Sequence, residues 1–188
     1  MLAGSAIAEP GYAPQRLLRP NGPPGSAEAR IAMASVAERA GTLPYLGATL
    51  RLVPEPGRSR VHRSGECLLV PEGDARPAIE RFYRRAARAE IARRLDHACA
   101  LAGHDYSGLD IRGQRTRWAS CSSSGRMSFN WRLLLAPERV LEYVVWHEVC
   151  HLEVLDHSRR FWALVERHWP DYREDRDWLA RNGATLVI

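Results

Sequence analysis

The sequence contains no lysine, so arginine supplies all 27 of its basic side chains. With its many alanines, glycines and prolines, this composition is typical of a GC-rich genome and does not by itself indicate a function. No apolar run approaches the roughly 18 residues that span a bilayer. The first residues, MLAGSAIAEPGYAP, also lack the basic and apolar regions of a secretory signal. We therefore expect a cytoplasmic protein that does not enter a membrane.

The four cysteines are too widely spaced to form a C-x-x-C pair, which excludes a zinc ribbon and a thioredoxin-like site. In a cytoplasmic protein they are expected to be reduced thiols that pack as small apolar side chains. They are Cys67, Cys99, Cys121 and Cys150.

The net charge of +5 is unevenly distributed along the chain. Residues 1–146 contain 21 arginines and 14 acidic residues, a difference of +7, whereas residues 147–188 contain 6 and 8, a difference of −2. The basic part would attract nucleic acid or another acidic partner. A solvated arginine surface without any partner is the commoner cause of such a distribution.

The chain length of 188 residues and the hydrophobic fraction of 45% suit one domain with a real core. Residues 1–41 are rich in Ala, Gly, Pro and Ser, which predicts a flexible leader with one weak helix near 27–39. We divide the remainder into 42–105, a β-meander plus a long helix, and 106–188, which carries further strands and three helices. We expect 42–188 to form one domain.

Short alternating or apolar runs predict strands at 48–53, 58–62 and 67–70, followed by two more at 109–114 and 126–131 around a turn. Helical periodicity predicts a long helix at 77–103, bounded by Pro77 and Gly103, and shorter helices near 137–153, 159–168 and 171–181. Because the strands come early and the helices late, the fold class is α+β, with a small antiparallel sheet packed on helices.

The long predicted helix has an apolar stripe and, opposite it, an arginine face. The arginine face consists of Arg81, Arg84, Arg85, Arg88, Arg93 and Arg94. Guanidinium groups at this spacing would bind the phosphates of DNA or RNA. A solvated face whose side-chain stems cover apolar surface is the commoner arrangement.

The most informative segment is HEVCHLEVLDH, residues 147–157. His147 and His151 are four residues apart on a predicted helix, so both imidazoles project from one face and can reach one metal ion. Glu148 lies beside that face without having to bind the metal, which is the position of a general base for a metal-activated water. Two satisfied core histidines are the alternative, but burying them beside a carboxylate is costly without a metal.

His157 is the candidate for the third ligand, and His168 is a poorer one because its surroundings suit an ordinary packing histidine. Metzincins share the H-E-x-x-H-x5-H ligand spacing, but they have Gly where this chain has Val154 and a Met-turn that this chain lacks, which excludes them. A structural site closed by a fourth protein ligand is the remaining alternative. Its candidates are Glu153, Asp156 and the less favourably directed Cys150.

Together these segments resemble the YgjP-like metal-dependent hydrolases, relatives of the SprT-like zinc metallopeptidases. The resemblance runs from about Leu43 to Leu179 and leaves the leader outside. It rests on LPYLG (43–47), RTRWASCSSSGRMSFNWRLLLAP (115–137), YVVWHEVCHLEVLDHSRRFWALV (143–165) and PDYREDRDWL (170–179). One departure is Ala119, where related sequences usually have Gly in RWGSC.

The resemblance implies a compact zincin-type fold in which His147, His151 and His157 hold Zn²⁺ and Glu148 is catalytic. Three neutral imidazoles leave the zinc its full charge, which lowers the pKa of a bound water toward about 7. Glu148 would accept the proton of that water and return it to the leaving amine.

The MSFNW segment, residues 127–131, resembles the edge strand on which zincins bind an extended peptide. Asn130 is a candidate substrate contact on this strand, and Tyr172 and Arg117 are candidates for stabilising an oxyanion. An ordinary structural role stays open for each of them. Three tryptophans are expected in the core, namely Trp118, Trp131 and Trp162.

The sequence therefore predicts a zinc metallopeptidase that acts on peptide or protein substrates. The alternative is a nucleic-acid-associated protein, either a DNA-linked protease or a zinc-structured DNA or RNA binder, that uses the face of Arg81, Arg84, Arg85 and Arg88. A third possibility is an amidohydrolase with non-peptide substrates, because the zinc chemistry would be the same. The sequence does not predict an oligomeric state.

Overall fold

The computed structural model describes residues 41–114 and 116–188. The predicted leader 1–41, apart from Gly41, and its weak helix at 27–39 lie outside the described residues. The strands are β1 (Thr42–Tyr45), β2 (Ala48–Glu55), β3 (His62–Ser64), β4 (Cys67–Pro71), β5 (Gly108–Arg112), β6 (Ala119–Cys121) and β7 (Arg126–Asn130). The helices are α1 (Arg76–Ala102), α2 (Glu138–Cys150), α3 (Arg159–His168) and α4 (Tyr172–Asn182), with 3-10 helices at Trp131–Leu135 and Gly183–Thr185.

Helix α1 confirms the long helix expected from the apolar periodicity. A proline in the first turn favours its start, and Gly103 ends it in a left-handed conformation with φ of 71°. Residues at four-residue spacing, Tyr83, Ala87, Ile91 and Leu95, are fully buried and form the face that packs on the rest of the chain.

Arg94 corrects the expected arginine face, because its side chain is only 2% exposed and does not lie at the surface. It forms ion pairs with Glu90 on its own helix and with Glu138 and Glu142 on α2. The sequence pattern of α1 alone could not show this burial, since two of the three carboxylates come from a helix more than 40 residues later. The ion pairs join α1 to the helix that carries His147 and Glu148.

The prediction of an antiparallel sheet is wrong, because the structure has two small mixed sheets. In the first, with strand order β1-β2-β4-β3, β2 pairs with β4 in parallel. In the second, with order β5-β7-β6, β5 pairs with β7 in parallel and β6 pairs with β7 antiparallel. Each parallel pair is separated in sequence by a segment long enough to cross over. Local alternation predicts a strand, but it does not identify the strand's partner.

Helix α2 runs through the core, and all its residues from Tyr143 to Cys150 are buried. It ends at Cys150 and not at 153 as predicted. The N–H of His151 donates to the carbonyl of Glu148 at 3.2 Å, so the chain tightens into a 3-10-like turn at this point. The tight turn ends the helix early and directs the chain toward α3.

A helix that crosses a bilayer must be long and apolar. Within residues 41–114 and 116–188, no helix combines the length and apolar character needed to cross a bilayer.

Candidate metal centre

Three histidines from two consecutive helices meet at one point of the structure. His147 lies in the last turn of α2, His151 follows its end, and His157 lies two residues before α3. One ring nitrogen from each lies within 4.8 Å of the others. The Nε2 atoms of His147 and His157 are 3.0 Å apart. The structure thus brings together the three side chains that the motif singles out.

The turn between the two helices places His157. A carboxylate oxygen of Asp156 accepts a hydrogen bond from the Ser158 N–H at 2.9 Å, a side-chain turn of the kind that commonly precedes a helix. The N–H of Trp162 then donates to the Ser158 carbonyl at 3.1 Å and begins α3. His157 is therefore fixed between an Asp-stabilised turn and the first helical bond.

The protonation of the three rings suits metal binding. The Nδ1 atom of His151 lies 2.9 Å from the Val154 carbonyl, an acceptor that requires a proton on Nδ1 and leaves Nε2 as the free lone pair. Burial lowers the pKa of His147 well below its ordinary value and that of His151 as well, and it lowers the pKa of His157 to about 4. At neutral pH all three imidazoles are uncharged and able to bind a cation.

The carboxylates considered as a fourth ligand are engaged elsewhere. Glu153 forms an ion pair with Arg160 at 2.8 Å, and Asp156 accepts from Ser158 as described above. Cys150 is buried and does not belong to the cluster. Across residues 41–114 and 116–188, the cluster of metal-binding groups at this point consists of the three histidines alone.

Glu148 follows His147 directly in α2 and is only 1% exposed. Burial raises its pKa to about 8, against the opposing effects of the Arg117 charge and a hydrogen bond from the Cys121 backbone. Its Oε2 atom has no hydrogen-bond partner among the described residues. A buried carboxylate oxygen without a partner is costly, so this atom is suited to a proton, a water or a ligand group.

Arg117 and Tyr172, the two candidates for stabilising an oxyanion, have different surroundings. Arg117 is half-buried and close enough to influence the charge of Glu148. Tyr172 is buried, and its ring stacks on Trp162 with centroids 5.2 Å apart. Trp162 in turn contacts the His157 ring, with centroids 5.8 Å apart. Tyr172 is thus one aromatic layer behind the histidines.

Asn130 holds the backbone and has no amide group left for a substrate. Its side-chain N–H groups donate to the carbonyls of Gln114 at 2.7 Å and Arg117 at 3.4 Å, and its oxygen accepts from the Arg132 N–H at 3.2 Å. The side chain caps the 3-10 helix Trp131–Leu135 and fixes the loop that leads to β6. These hydrogen bonds favour the structural role that the sequence left open for Asn130, and a substrate contact by this residue stays a prediction.

The MSFNW segment was expected to be an edge strand, but most of it lies in the central strand of the second sheet. Strand β7, which contains most of MSFNW, pairs with β5 on one side and β6 on the other. The edge strand is β6 (Ala119–Cys121), which was not predicted because its serine and cysteine precede the serines of a predicted turn. This strand also holds Glu148, through the Cys121 backbone.

The hydrogen bonds of β6 show which of its backbone groups point away from the sheet. The Asn130 N–H donates to the Trp118 carbonyl at 2.7 Å, and the Ser122 N–H donates to the Arg126 carbonyl at 2.9 Å. Hydrogen-bonded pairs alternate in an antiparallel ladder, so the intervening residue Ser120 also bonds to β7. The backbone groups of Ala119 and Cys121 therefore point to the opposite edge, which pairs with no other strand of the described sheet and at which Ala119 is only 6% exposed.

The exposed arginine face is smaller than expected. Arg81, Arg85, Arg88 and Arg93 are exposed, whereas Arg94 is buried. Arg84 is partly exposed and pairs with Glu80 at 2.7 Å, and Arg88 donates to the Leu109 carbonyl at 3.1 Å. Binding of nucleic acid by this face stays a prediction.

Among the expected core tryptophans, Trp118 and Trp131 are buried, whereas Trp162 is half-exposed beside the histidines. The poorer candidate His168 stacks on Trp146 with centroids 4.6 Å apart, which is the packing role expected for it. Sequence reasoning missed Phe161, which contacts all three clustered histidines. Its spacing of four residues after His157 was the available signal.

Comparison with known families gives one match, to the family described as YgjP-like, metallopeptidase domain, over residues 27–182. The match begins within the predicted leader, so the similarity extends further toward the N-terminus than the segment from Leu43. No curated protein matches the chain. A solved structure, the metallopeptidase zymogen of Pyrococcus abyssi abylysin, is 24% identical, with a TM-score of 0.46, and the alignment covers 52% of this chain and 99% of that one.

Proposed function

The chain belongs to the YgjP-like family of metallopeptidase domains, and from this premise we propose that it is a zinc peptidase with His147, His151 and His157 as ligands and Glu148 as general base. The observation that carries the proposal is the cluster of three imidazole nitrogens. The residue next to His147 in the chain, Glu148, adds a buried carboxylate whose Oε2 has no hydrogen-bond partner among the described residues.

The donor set fits zinc better than the other common biological cations. Neutral imidazoles suit Zn²⁺, whereas Mg²⁺ and Ca²⁺ prefer oxygen ligands, and the described cluster contains none. The 3.0 Å separation of two Nε2 atoms is close to that of two nitrogens that share one cation at about 2.0–2.1 Å each. Three protein ligands are also the usual number in a catalytic zinc site, which keeps one position for water.

Glu148 would move the proton during hydrolysis. A zinc ion in this site would lower the pKa of a coordinated water, polarise the substrate carbonyl and, through its charge, favour the ionised form of Glu148. The unpartnered Oε2 of Glu148 would accept the proton and later deliver it to the leaving amine. The hydrogen bond from the Cys121 backbone would hold the carboxylate in place during both transfers.

The edge of β6 that pairs with no strand of the described sheet would bind the substrate. A peptide in extended conformation pairs with the free N–H and C=O groups of an edge strand. Because the Cys121 N–H is taken by Glu148, the outward groups of Ala119 are the ones left for the peptide. Arg117 precedes this strand and lies near Glu148, so we favour it over Tyr172 as the residue that contacts the reacting carbonyl.

The proposal is tested by peptide hydrolysis with purified, zinc-loaded protein and a peptide library. Glu148→Gln should keep the zinc and lose about 10²- to 10⁴-fold in kcat, the usual contribution of a general base. Glu166→Gln, the same chemical change on the exposed face of α3, is the matched control and should keep full activity. Full activity in Glu148→Gln would reject the assignment of the base. Hydrolysis of non-peptide amides without any peptide cleavage would favour the amidohydrolase alternative.

A further inference from the structure

The ring of Phe161 contacts the rings of all three candidate metal ligands. Its ring centroid lies 4.9 Å from that of His147, 4.4 Å from that of His151 and 4.7 Å from that of His157. The side chain has no solvent exposure. It therefore forms a common packing surface for all three imidazoles.

The geometry of the three contacts differs from ring to ring. The Phe161 ring is nearly parallel to His151, with an interplanar angle of 24°, and nearly perpendicular to His147, at 71°. The angle to His157 is 59°. Offset-stacked and edge-to-face arrangements at these distances are the favourable ones for aromatic pairs. Each contact thus favours one orientation of its imidazole, and the three orientations together place the nitrogens at one point.

Hydrogen bonds at Nδ1 account for the orientation of only one of the three rings among the described residues. Metal-binding histidines usually donate their second ring N–H to a carboxylate, a carbonyl or a water, which fixes the orientation of the ring. His151 has such a partner in the Val154 carbonyl. The Nδ1 atoms of His147 and His157 are buried and have no hydrogen-bond partner among the described residues. Among the described residues, therefore, no hydrogen bond at Nδ1 orients the rings of His147 and His157.

We propose that Phe161 is the positioning residue of the metal centre, and that its ring packing orients His147 and His157 in place of the hydrogen bonds that their Nδ1 atoms lack. The inference rests on the proposed metal site. The position of Phe161 on α3 supports it, because Phe161 follows His157 by four residues and faces the core together with Val165. The helix that presents the third ligand thus also presents the ring that aligns it.

The test compares two substitutions on the same buried face of α3. Phe161→Leu removes the ring and keeps an apolar side chain, and Val165→Ala removes buried carbon atoms one turn later, without a histidine contact among those described. We expect Phe161→Leu to raise the dissociation constant for zinc by roughly 10- to 100-fold, as for other outer partners of metal ligands. Val165→Ala should stay within about threefold of the wild type. Competition with a chromophoric chelator measures both.

The visible spectrum of the Co²⁺-substituted protein gives a readout that a loss of fold stability does not change. Phe161→Leu should shift the Co²⁺ bands because the ligand geometry changes, whereas Val165→Ala should leave them in place. Unchanged affinity and unchanged bands in Phe161→Leu would overturn the inference. A wild type that binds no metal would instead contradict the proposed function.

A measurement on the wild type keeps the inference testable if Phe161→Leu does not fold. In the metal-free protein, the aromatic protons of Phe161 should show nuclear Overhauser effects to the rings of His147, His151 and His157. Effects to all three rings support the inference. Their absence for His147 and His157 contradicts it.

Discussion

The Nε2 atoms of His147 and His157 lie 3.0 Å apart although ten residues and a change of helix separate them. Both rings are uncharged at neutral pH, since burial lowers both pKa values. Two lone pairs that face each other at this distance repel unless a proton or a cation lies between them. With His151 as the third donor, a shared cation would satisfy all three rings at once.

Loss of His157 should weaken metal binding more than loss of a residue, such as Phe161, that contacts the ligands without binding the metal. In His157→Ala one of three ligands is removed, so we expect the zinc dissociation constant to rise by more than the roughly 100-fold that an outer partner is worth. The matched control is His168→Ala, because His168 stacks on Trp146 and does not belong to the cluster. Isothermal titration with zinc measures both constants. Equal affinity in the two variants would remove His157 from the site.

Substitution of Ala119 should change substrate binding and leave metal binding unchanged. Ala119→Pro removes the outward N–H of β6, which is the group proposed to pair with a peptide, so we expect kcat/KM for peptides to fall about tenfold, the effect of roughly 1.4 kcal/mol for one lost hydrogen bond. Zinc content should stay at the wild-type level. Ala119→Gly keeps the N–H and should retain activity within about threefold. A fully active Ala119→Pro would show that peptides bind elsewhere.

Removal of Arg94 should destabilise the fold. Arg94 is buried and forms ion pairs with Glu90, Glu138 and Glu142, so Arg94→Met leaves three carboxylates without their common partner. We expect the free energy of unfolding to fall by about 3 kcal/mol, the low end for a broken buried pair, because the carboxylates are partly exposed. Urea unfolding measures this loss. Arg93→Met, at a side chain that is 67% exposed, should change the same quantity by less than about 0.5 kcal/mol.

The same ion pairs predict how stability depends on pH. Burial by itself would raise the pKa of Glu90, but the hydrogen bonds from Arg94 and Arg93 outweigh it and lower the pKa. A lowered folded-state pKa stabilises the fold above the pKa of the unfolded chain, and this stabilisation is lost as the pH falls below about 4.3. Between pH 6 and pH 3, the free energy of unfolding should therefore fall less in Glu90→Gln than in the wild type. Glu72→Gln, at an exposed position, should show the same dependence of the free energy of unfolding on pH as the wild type. If Glu90→Gln also showed the wild-type dependence, the prediction would be contradicted.

The sequence was sufficient where a feature depends on residues close together in the chain. The helix positions of α1, α3 and α4 followed from apolar periodicity and from proline and glycine at their ends. The histidines of the motif were identified from spacing alone. His157 was a candidate for the third ligand from the sequence, but its approach to His147 depends on where α2 ends, which the sequence pattern did not predict.

Features that depend on distant residues could not be predicted. The parallel pairing of β2 with β4 depends on a crossover that local alternation does not encode. The burial of Arg94 depends on carboxylates 44 and 48 residues later, on α2. The edge position of β6 was hidden because a three-residue strand of Ala, Ser and Cys has little β-propensity. The role of Asn130 likewise depends on a loop that only the folded chain brings near.

X-ray absorption at the zinc edge of the purified full chain tests the central claim most directly. The account predicts one zinc per chain, bound by three imidazole nitrogens at about 2.0–2.1 Å and one further light atom from solvent. Glu148→Gln should give the same spectrum, since Glu148 is not a ligand. A sulfur scatterer, a fourth imidazole or carboxylate from the protein, or the failure of the wild type to bind zinc would contradict the account.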